Sequence, residues 1–175
     1  IPSIEQSQGA VRVLVNNAGN DARHLFSEVT PAYWDHSLAT NLRHQFFASQ
    51  AVATRMSEAG GGSIINLSSI AWMQGLEHLS VYTTAKSAII GLTHGLAREL
   101  GELRIRVNTI TPGWTLTEKQ KKLWGTPENL IGALNNQCLK THISPEAIAR
   151  MALFLASDDS DMCTSQNFIV DAGTV

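Results

Sequence analysis

Tyr82 and Lys86 stand four residues apart in the stretch YTTAK. On a helix that spacing puts both side chains on one face, a turn apart. An ammonium beside a phenol favours the phenolate. Bringing a phenol from its ordinary value near ~10 down to neutrality needs roughly 4 kcal/mol of differential stabilisation, which asks for a desolvated site. A tyrosine so tuned can remove the proton of an alcohol. Taken alone, a Tyr and a Lys at this spacing are more often a surface contact. Ser69 lies 13 positions before Tyr82, just after an apolar run. Its hydroxyl can bond a substrate oxygen or simply close the end of a strand. Asn41 sits in the middle of a long helical stretch, where asparagine is mildly unfavourable. Such a residue is solvated or holds a buried water. Asn16, Asn17, Ala18 and Gly19 have the composition of a tight turn.

Four short β-branched or apolar runs bounded by turn residues read as buried strands: residues 11–16 (VRVLVN), 63–67 (SIINL), 104–110 (RIRVNTI) and 167–170 (NFIV). Helical stretches alternate with them. Residues 31–58 follow Thr30, a candidate N-cap with Pro31 at the first helical position, and stop at Gly60-Gly61-Gly62. Residues 79–100 carry apolar side chains at helical spacing, and Gly101 is the expected C-cap. Ser144-Pro145-Glu146 opens a shorter helix that runs to Ala156. This alternation predicts an α/β fold, a Rossmann-like parallel sheet with helices on both faces. Ligands of such sheets sit at the carboxyl ends of the strands. Residues 114–142 are polar, interrupted and too long for an ordinary connection, as binding loops often are. The chain is read as a single domain over residues 1–175, with residues 114–142 as a substrate lid within it.

Composition narrows the functions. The 175 residues are 43% hydrophobic and 16% charged, with 13 Lys and Arg against 15 Asp and Glu. A net charge of -2 gives no electrostatic reason to bind nucleic acid or an anionic membrane. No apolar run approaches the roughly 18 residues of a spanning helix. Cys138 and Cys163 lack metal-ligand or CxxC spacing, and no His, Asp and Glu grouping has ligand spacing, so no metal is expected. His36, His44, His94 and His142 read as surface or core residues. A hydrolase is disfavoured by the lack of a G-x-S-x-G elbow. The expected compartment is the reducing cytoplasm.

In order and spacing, NNAG at residues 16–19, Asn41, NLSS ending at Ser69, YTTAK at residues 82–86 and PGWTLT at residues 112–117 resemble the short-chain dehydrogenase/reductase family. The resemblance runs over almost the whole chain. It implies an NAD(P)-dependent oxidoreductase with Tyr82 as acid/base. Lys86 would lower the tyrosine's pKa and bind the nicotinamide ribose, Ser69 would position the reacting oxygen, and Asn41 would hold a water of the proton relay. It further implies that Asn17, Ala18 and Gly19 pass the adenosine part of the cofactor, that Pro112, Gly113, Thr115 and Thr117 contact its nicotinamide half, and that the chain forms a homo-oligomer, dimer or tetramer, through its two long helices.

The family's glycine-rich phosphate loop follows a strand upstream of NNAG, and only 15 residues precede Asn16. Two strand-helix units would need about 30 residues each. Gly60-Gly61-Gly62 precedes a strand, whereas a phosphate loop follows one. The chain, which opens on Ile1, is therefore expected to be the C-terminal part of a longer fold whose first strand-helix units are missing, and by itself to bind cofactor poorly.

A narrower resemblance joins VNNAGNDARH at residues 15–24, YWD at 33–35, NLRH at 41–44, GLE at 75–77, QCLK at 137–140 and FLASDD at 154–159. It points to bacterial NAD-dependent aldose 1-dehydrogenases, D-xylose dehydrogenases among them. It implies oxidation of a sugar at C1 to the lactone and favours NAD over NADP. Asn20, Asp21, Arg23, His24, Trp72, Gln74 and Trp114 are the candidate sugar contacts, with a solvated loop and ordinary packing as the bland alternatives. Two other readings stand beside this one: a ketone, 3-oxoacyl or steroid reductase of the same family, and a non-catalytic oligomerising fragment that lacks the cofactor phosphate site.

Overall fold

In the computed structural model, Gln6 and residues 9–175 are described; Ile1 lies outside them. Four parallel strands, β1 (Val13–Asn16), β2 (Gly62–Leu67), β3 (Ile105–Pro112) and β4 (Asn167–Val170), pair in chain order. Parallel neighbours need a long crossover, and each connection contains helix. Between β1 and β2 run α1 (Pro31–Leu38), a wide π-type segment (Ala39–Arg43) and α2 (His44–Glu58). Between β2 and β3 run the single turn α3 (Ala71–Gln74) and the long α4 (Ser80–Leu100). Between β3 and β4 lie α5 (Glu118–Trp124), α6 (Pro127–Asn136) and α7 (Pro145–Ala156).

Side chains alternate across a strand, and that alternation builds two cores. Ile64, Ile105 and Val107 face Val52 and Met56 of α2 and Leu96 and Ala97 of α4. Ile65, Leu67 and Ile110 face Leu155 of α7, with Ile148, Met151 and Phe168 packed around them. The parallel sheet covered on both faces is therefore present. Ile65 is fully buried, so Ile65→Ala is expected to cost about 2–5 kcal/mol, read as a lower urea midpoint at unchanged slope.

Three details differ from expectation. Residues 31–58 are two α-helices joined at the π-type segment that holds Asn41, a local widening often found at functional sites. Gly101 takes a right-handed helical conformation, and the left-handed residue is Arg104, at φ 57° after one further turn. Residues 114–142 contain two helices, α5 and α6, each capped by a threonine: Thr117 Oγ1 accepts from Gln120 N and Thr126 Oγ1 from Asn129 N. Thr30 caps α1 as expected, accepting from Tyr33 N at 3.2 Å.

Polar residues thread the first core. Asn16 Nδ2 donates to Asn66 Oδ1 at 2.9 Å, Asn66 Nδ2 to Thr93 Oγ1 at 3.0 Å, and Thr93 and Thr109 share a bond of 2.7 Å. This buried chain ties β1, β2, α4 and β3 at the level where the strands end. Satisfied buried polar groups specify one arrangement, here the relative height of the strand ends.

Candidate active site

The last residues of β1, β2 and β3 open onto one cavity of about 910 Å³. Lys86, on α4, is 3% exposed, and its ammonium donates to the carbonyl of Leu67, the last residue of β2, at 2.8 Å. Ser68 Oγ donates to the Lys86 carbonyl at 2.7 Å, so the helix is pinned to the strand end at both its backbone and its side chain. The Lys86 Nζ lies 5.6 Å from the centre of the Tyr82 ring. Ser69 Oγ hydrogen-bonds the Tyr82 hydroxyl and accepts from Ala71 N at 3.2 Å. Tyr82, Lys86 and Ser69 thus meet on one wall.

The turn after β1 closes over this wall. A methyl group on Gly19 would come within 3.2 Å of Asn41 Oδ1 and 3.4 Å of Lys86 Nζ, so glycine permits the close approach. Asn41 holds the turn in place: its Oδ1 accepts from Asn20 N at 2.8 Å, and its Nδ2 donates to Asn20 O and Ser37 O, both at 3.0 Å. Its amide is engaged with backbone, not with solvent as one sequence alternative had it. Its carbonyl accepts from Gln45 Nε2 at 3.4 Å.

The other expected residues separate into two groups. Asn17, Gly19, Asn20, Asp21, Arg23, Gln74, Pro112, Gly113, Trp114, Thr115 and Thr117 line the cavity with Ser69, Tyr82 and Lys86. Ala18, His24, Asn41 and Trp72 do not. His24 bonds Ser80 Oγ at 3.0 Å and the Tyr33 hydroxyl at 3.2 Å and packs against the Tyr33 ring. It braces the loop from behind. Trp72 keeps its indole nitrogen buried with no partner. Thr115 Oγ1 donates to Gly113 O at 3.1 Å.

Burial dominates the electrostatics. It raises the Tyr82 phenol to about 12, against a lowering by the bond to Ser69, and the Asp21 carboxylate raises it further. Burial also drops the Lys86 ammonium to about 8, with Asp21 acting in the opposite direction. The expected depression of the tyrosine by its lysine neighbour is absent, because desolvating a phenolate outweighs the other effects on it. Tyr82 is therefore a neutral phenol near pH 7 and can give a proton; it can take one only after losing its own.

Several residues were not singled out from sequence. Lys119, Gln120 and Trp124 of α5 line the cavity opposite Tyr82's helix. Gln45, fully buried, donates at 3.4 Å to the same Leu67 carbonyl that receives Lys86. His44 has both ring nitrogens buried; burial, and then the Lys86 charge, hold its imidazole below the usual range against the backbone of Ala39 and Thr40. The signal for Gln45 was a polar residue four positions after Asn41, on the same helical face. Among the described residues no three His, Cys, Asp or Glu side chains group as metal ligands, and no helix is long and apolar enough to cross a membrane.

The geometry has counterparts among known proteins. A family model described as Enoyl-(Acyl carrier protein) reductase matches residues 1–175. D-xylose 1-dehydrogenase of Caulobacter vibrioides is 52% identical over 165 residues, which are 94% of this chain and 66% of that protein. A protein of Rhizobium meliloti named "Probable galactose dehydrogenase GalD" is 49% identical over 94% of this chain and 64% of its own length. A solved structure described as a short chain dehydrogenase/reductase family protein superposes with a TM-score of 0.86 at 31% identity, covering 98% of this chain and 70% of that one. The chain thus spans just under two thirds of the curated relatives it matches. With the parallel sheet, the ordered motifs and the matched family model all in agreement, the chain belongs to the short-chain dehydrogenase/reductase family.

Proposed function

We propose that the protein carrying this chain oxidises an aldose at C1 to the lactone, with hydride passing to a nicotinamide cofactor. The observation that carries the reading is the meeting of Tyr82, Ser69 and the buried Lys86 on one wall of a cavity at the carboxyl ends of the strands. The relatives named for D-xylose and galactose support the sugar. A polyol needs many donors and acceptors, and Asn20, Asp21, Arg23 and Gln74 line the same cavity.

The residues present fit the nicotinamide half of such a cofactor. Lys86, whose ammonium packs close to Gly19, would hold the ribose hydroxyls, and Gly19 would pass the adenosine part. Asn17 and Ala18 would border the adenosine side; Pro112, Gly113, Thr115 and Thr117 would border the nicotinamide side. When bound, the cofactor accepts the hydride from the sugar's C1. Tyr82, as phenolate, takes the proton of the C1 hydroxyl at its phenol oxygen, and Ser69 holds that hydroxyl in place through its own. Asn41 would hold the relay water behind Lys86. Residues 114–142 act as the substrate lid of the single domain. We assign NAD rather than NADP on the narrower resemblance. Copies of the chain would assemble through their long helices, where Phe46 and Phe47 on α2 are 40% and 54% exposed. The setting is the cytoplasm.

The test is a substrate panel on the full-length protein. It combines NAD⁺ or NADP⁺ with D-xylose, D-galactose and a hydroxysteroid, and the reduced cofactors with a 3-oxoacyl thioester, following nicotinamide absorbance. Reduction of NAD⁺ with an aldose is the expected result. Turnover confined to the steroid or the thioester would move the assignment to that chemistry. Failure to bind either cofactor would leave the chain an assembly module.

A further inference from the structure

Within the lid segment, Gln120 bridges two side chains of opposite hydrogen-bonding character. Its Nε2 donates to Asp21 Oδ2 at 2.8 Å, and its Oε1 accepts from the Trp114 indole nitrogen at 2.9 Å. An indole only donates and an ionised carboxylate only accepts. A side chain joining them must therefore carry both a donor and an acceptor, which the primary amide of Gln120 provides on two separate atoms. The same two partners fix the amide's orientation without ambiguity. Asp21 follows β1 and Trp114 follows β3, so the bridge spans the cavity mouth from α5. All three residues line the cavity. Beside it, Lys119 Nζ meets Asp21 Oδ1 at 3.2 Å, and the Arg23 guanidinium stacks 4.4 Å from the Trp124 ring centre. Both are contacts between the same loop and the same helix.

We infer that Gln120 is a positioning residue for the sugar: by bridging Asp21 and Trp114 it holds α5 against the loop after β1 and sets the cavity wall that selects a polyhydroxylated substrate. This rests on the sugar reading given above. Gln120 touches no reacting atom; it acts through the two side chains it joins. Its loss therefore falls on the affinity for a molecule with many hydroxyls. Proton transfer at Tyr82 and the binding of the nicotinamide are served by other residues.

Gln120→Leu removes both bonds, and Gln120→Glu keeps the acceptor for Trp114 while setting a carboxylate against Asp21. In the full-length protein each should raise the KM for the aldose about tenfold, as expected for taking one hydrogen bond from each of two half-buried partners, with a much smaller fall in kcat. The preference for the aldose over cyclohexanol, in kcat/KM, should fall with it. The double variant Asp21→Asn, Gln120→Glu rebuilds the bridge, since the asparagine now donates to the glutamate, which still accepts from Trp114. It should therefore bind the aldose better than Gln120→Glu alone. An aldose KM within twofold of wild type in both single variants, or a double variant no better than Gln120→Glu, overturns the proposal. The bridge is also read without turnover. Against burial, which pushes it up, the Asp21 carboxyl is held below its ordinary range by the bond from Gln120 together with the bond and charge of Lys119, so its ¹³C titration should move up in Gln120→Leu. An unmoved titration overturns the bridge whatever the substrate. A wild-type protein inert toward aldoses, with that titration moved, sinks the substrate reading and retains the bridge.

Discussion

Tyr82→Phe is expected to lower kcat by about 10²–10⁴-fold, the usual contribution of a positioned acid or base, while the fold and the affinity for the cofactor stay close to wild type. The substitution removes one oxygen atom. The bond it loses, to Ser69, is worth about 1 kcal/mol in stability, and the ring keeps its packing beside Lys86. The size of the effect follows from the chemistry assigned to that oxygen. Without a group to receive it, the hydroxyl proton of the substrate has only water as acceptor. Because burial and Asp21 hold the phenol at about 12, the wild-type enzyme should oxidise faster as the pH rises above neutrality, where more of the phenolate forms. Steady-state kinetics over a pH series, with cofactor affinity from fluorescence quenching, check both parts. Turnover near wild type in Tyr82→Phe contradicts the assigned role.

Lys86→Met should abolish turnover and yet make the protein more stable near pH 7. Lys86 is 3% exposed, and among the described residues its ammonium has one acceptor, the Leu67 carbonyl. Burial brings its pKa from the ordinary 10.5 down to about 8, a difference that corresponds to about 3 kcal/mol. The sign follows from proton binding. Between pH 8 and 10.5 the unfolded lysine is protonated and the folded one is not, so the unfolded state binds more protons and stability rises with pH across that window. Below about pH 8 the folded chain bears the full cost of the buried charge. Methionine removes the cost and keeps most of the volume, while the Leu67 carbonyl retains only the long bond from Gln45, an offset of about 1 kcal/mol. The net gain expected at pH 7 is about 1–3 kcal/mol, shrinking toward zero by about pH 10.5. Urea unfolding at several pH values measures it; a variant less stable than wild type at pH 7 overturns the reading. Cofactor affinity should fall by about tenfold or more, the worth of a hydrogen bond to a charged group. A residue that costs stability and is nonetheless present is explained by function.

Tyr82, Lys86 and Ser69 were legible because their spacing is local. Four positions on a helix and one position after a strand place the groups to within a turn, and the parallel sheet brings strand ends together. The strands were legible for the same reason: apolar runs such as SIINL leave little choice but burial, and Asn167–Val170 is found as expected. The errors fall where a local pattern met a tertiary constraint. Residues 31–58 carry an uninterrupted helical pattern, but the helix widens at Asn41, whose side chain bonds the backbone of Asn20, 21 positions away. Gly101 satisfied the composition of a cap, but the chain takes its left-handed turn at Arg104, one residue before β3 begins.

Sequence by itself determined the fold class, the order of strands and helices, and the chemical kinds at the site, since period, turn composition and motif spacing act over a few residues each. The tertiary structure alone decided which polar side chains face the cavity. His24 and Arg23 are adjacent, yet one is bonded to Ser80 and Tyr33 behind the loop and the other stacks on Trp124 across it. It alone decided the charge states, because the shifts of Tyr82 and Lys86 come from burial and from Asp21, a residue 61 and 65 positions away. Desolvation and through-space charge depend on which segments pack together, and that packing is set by contacts between residues far apart in the chain.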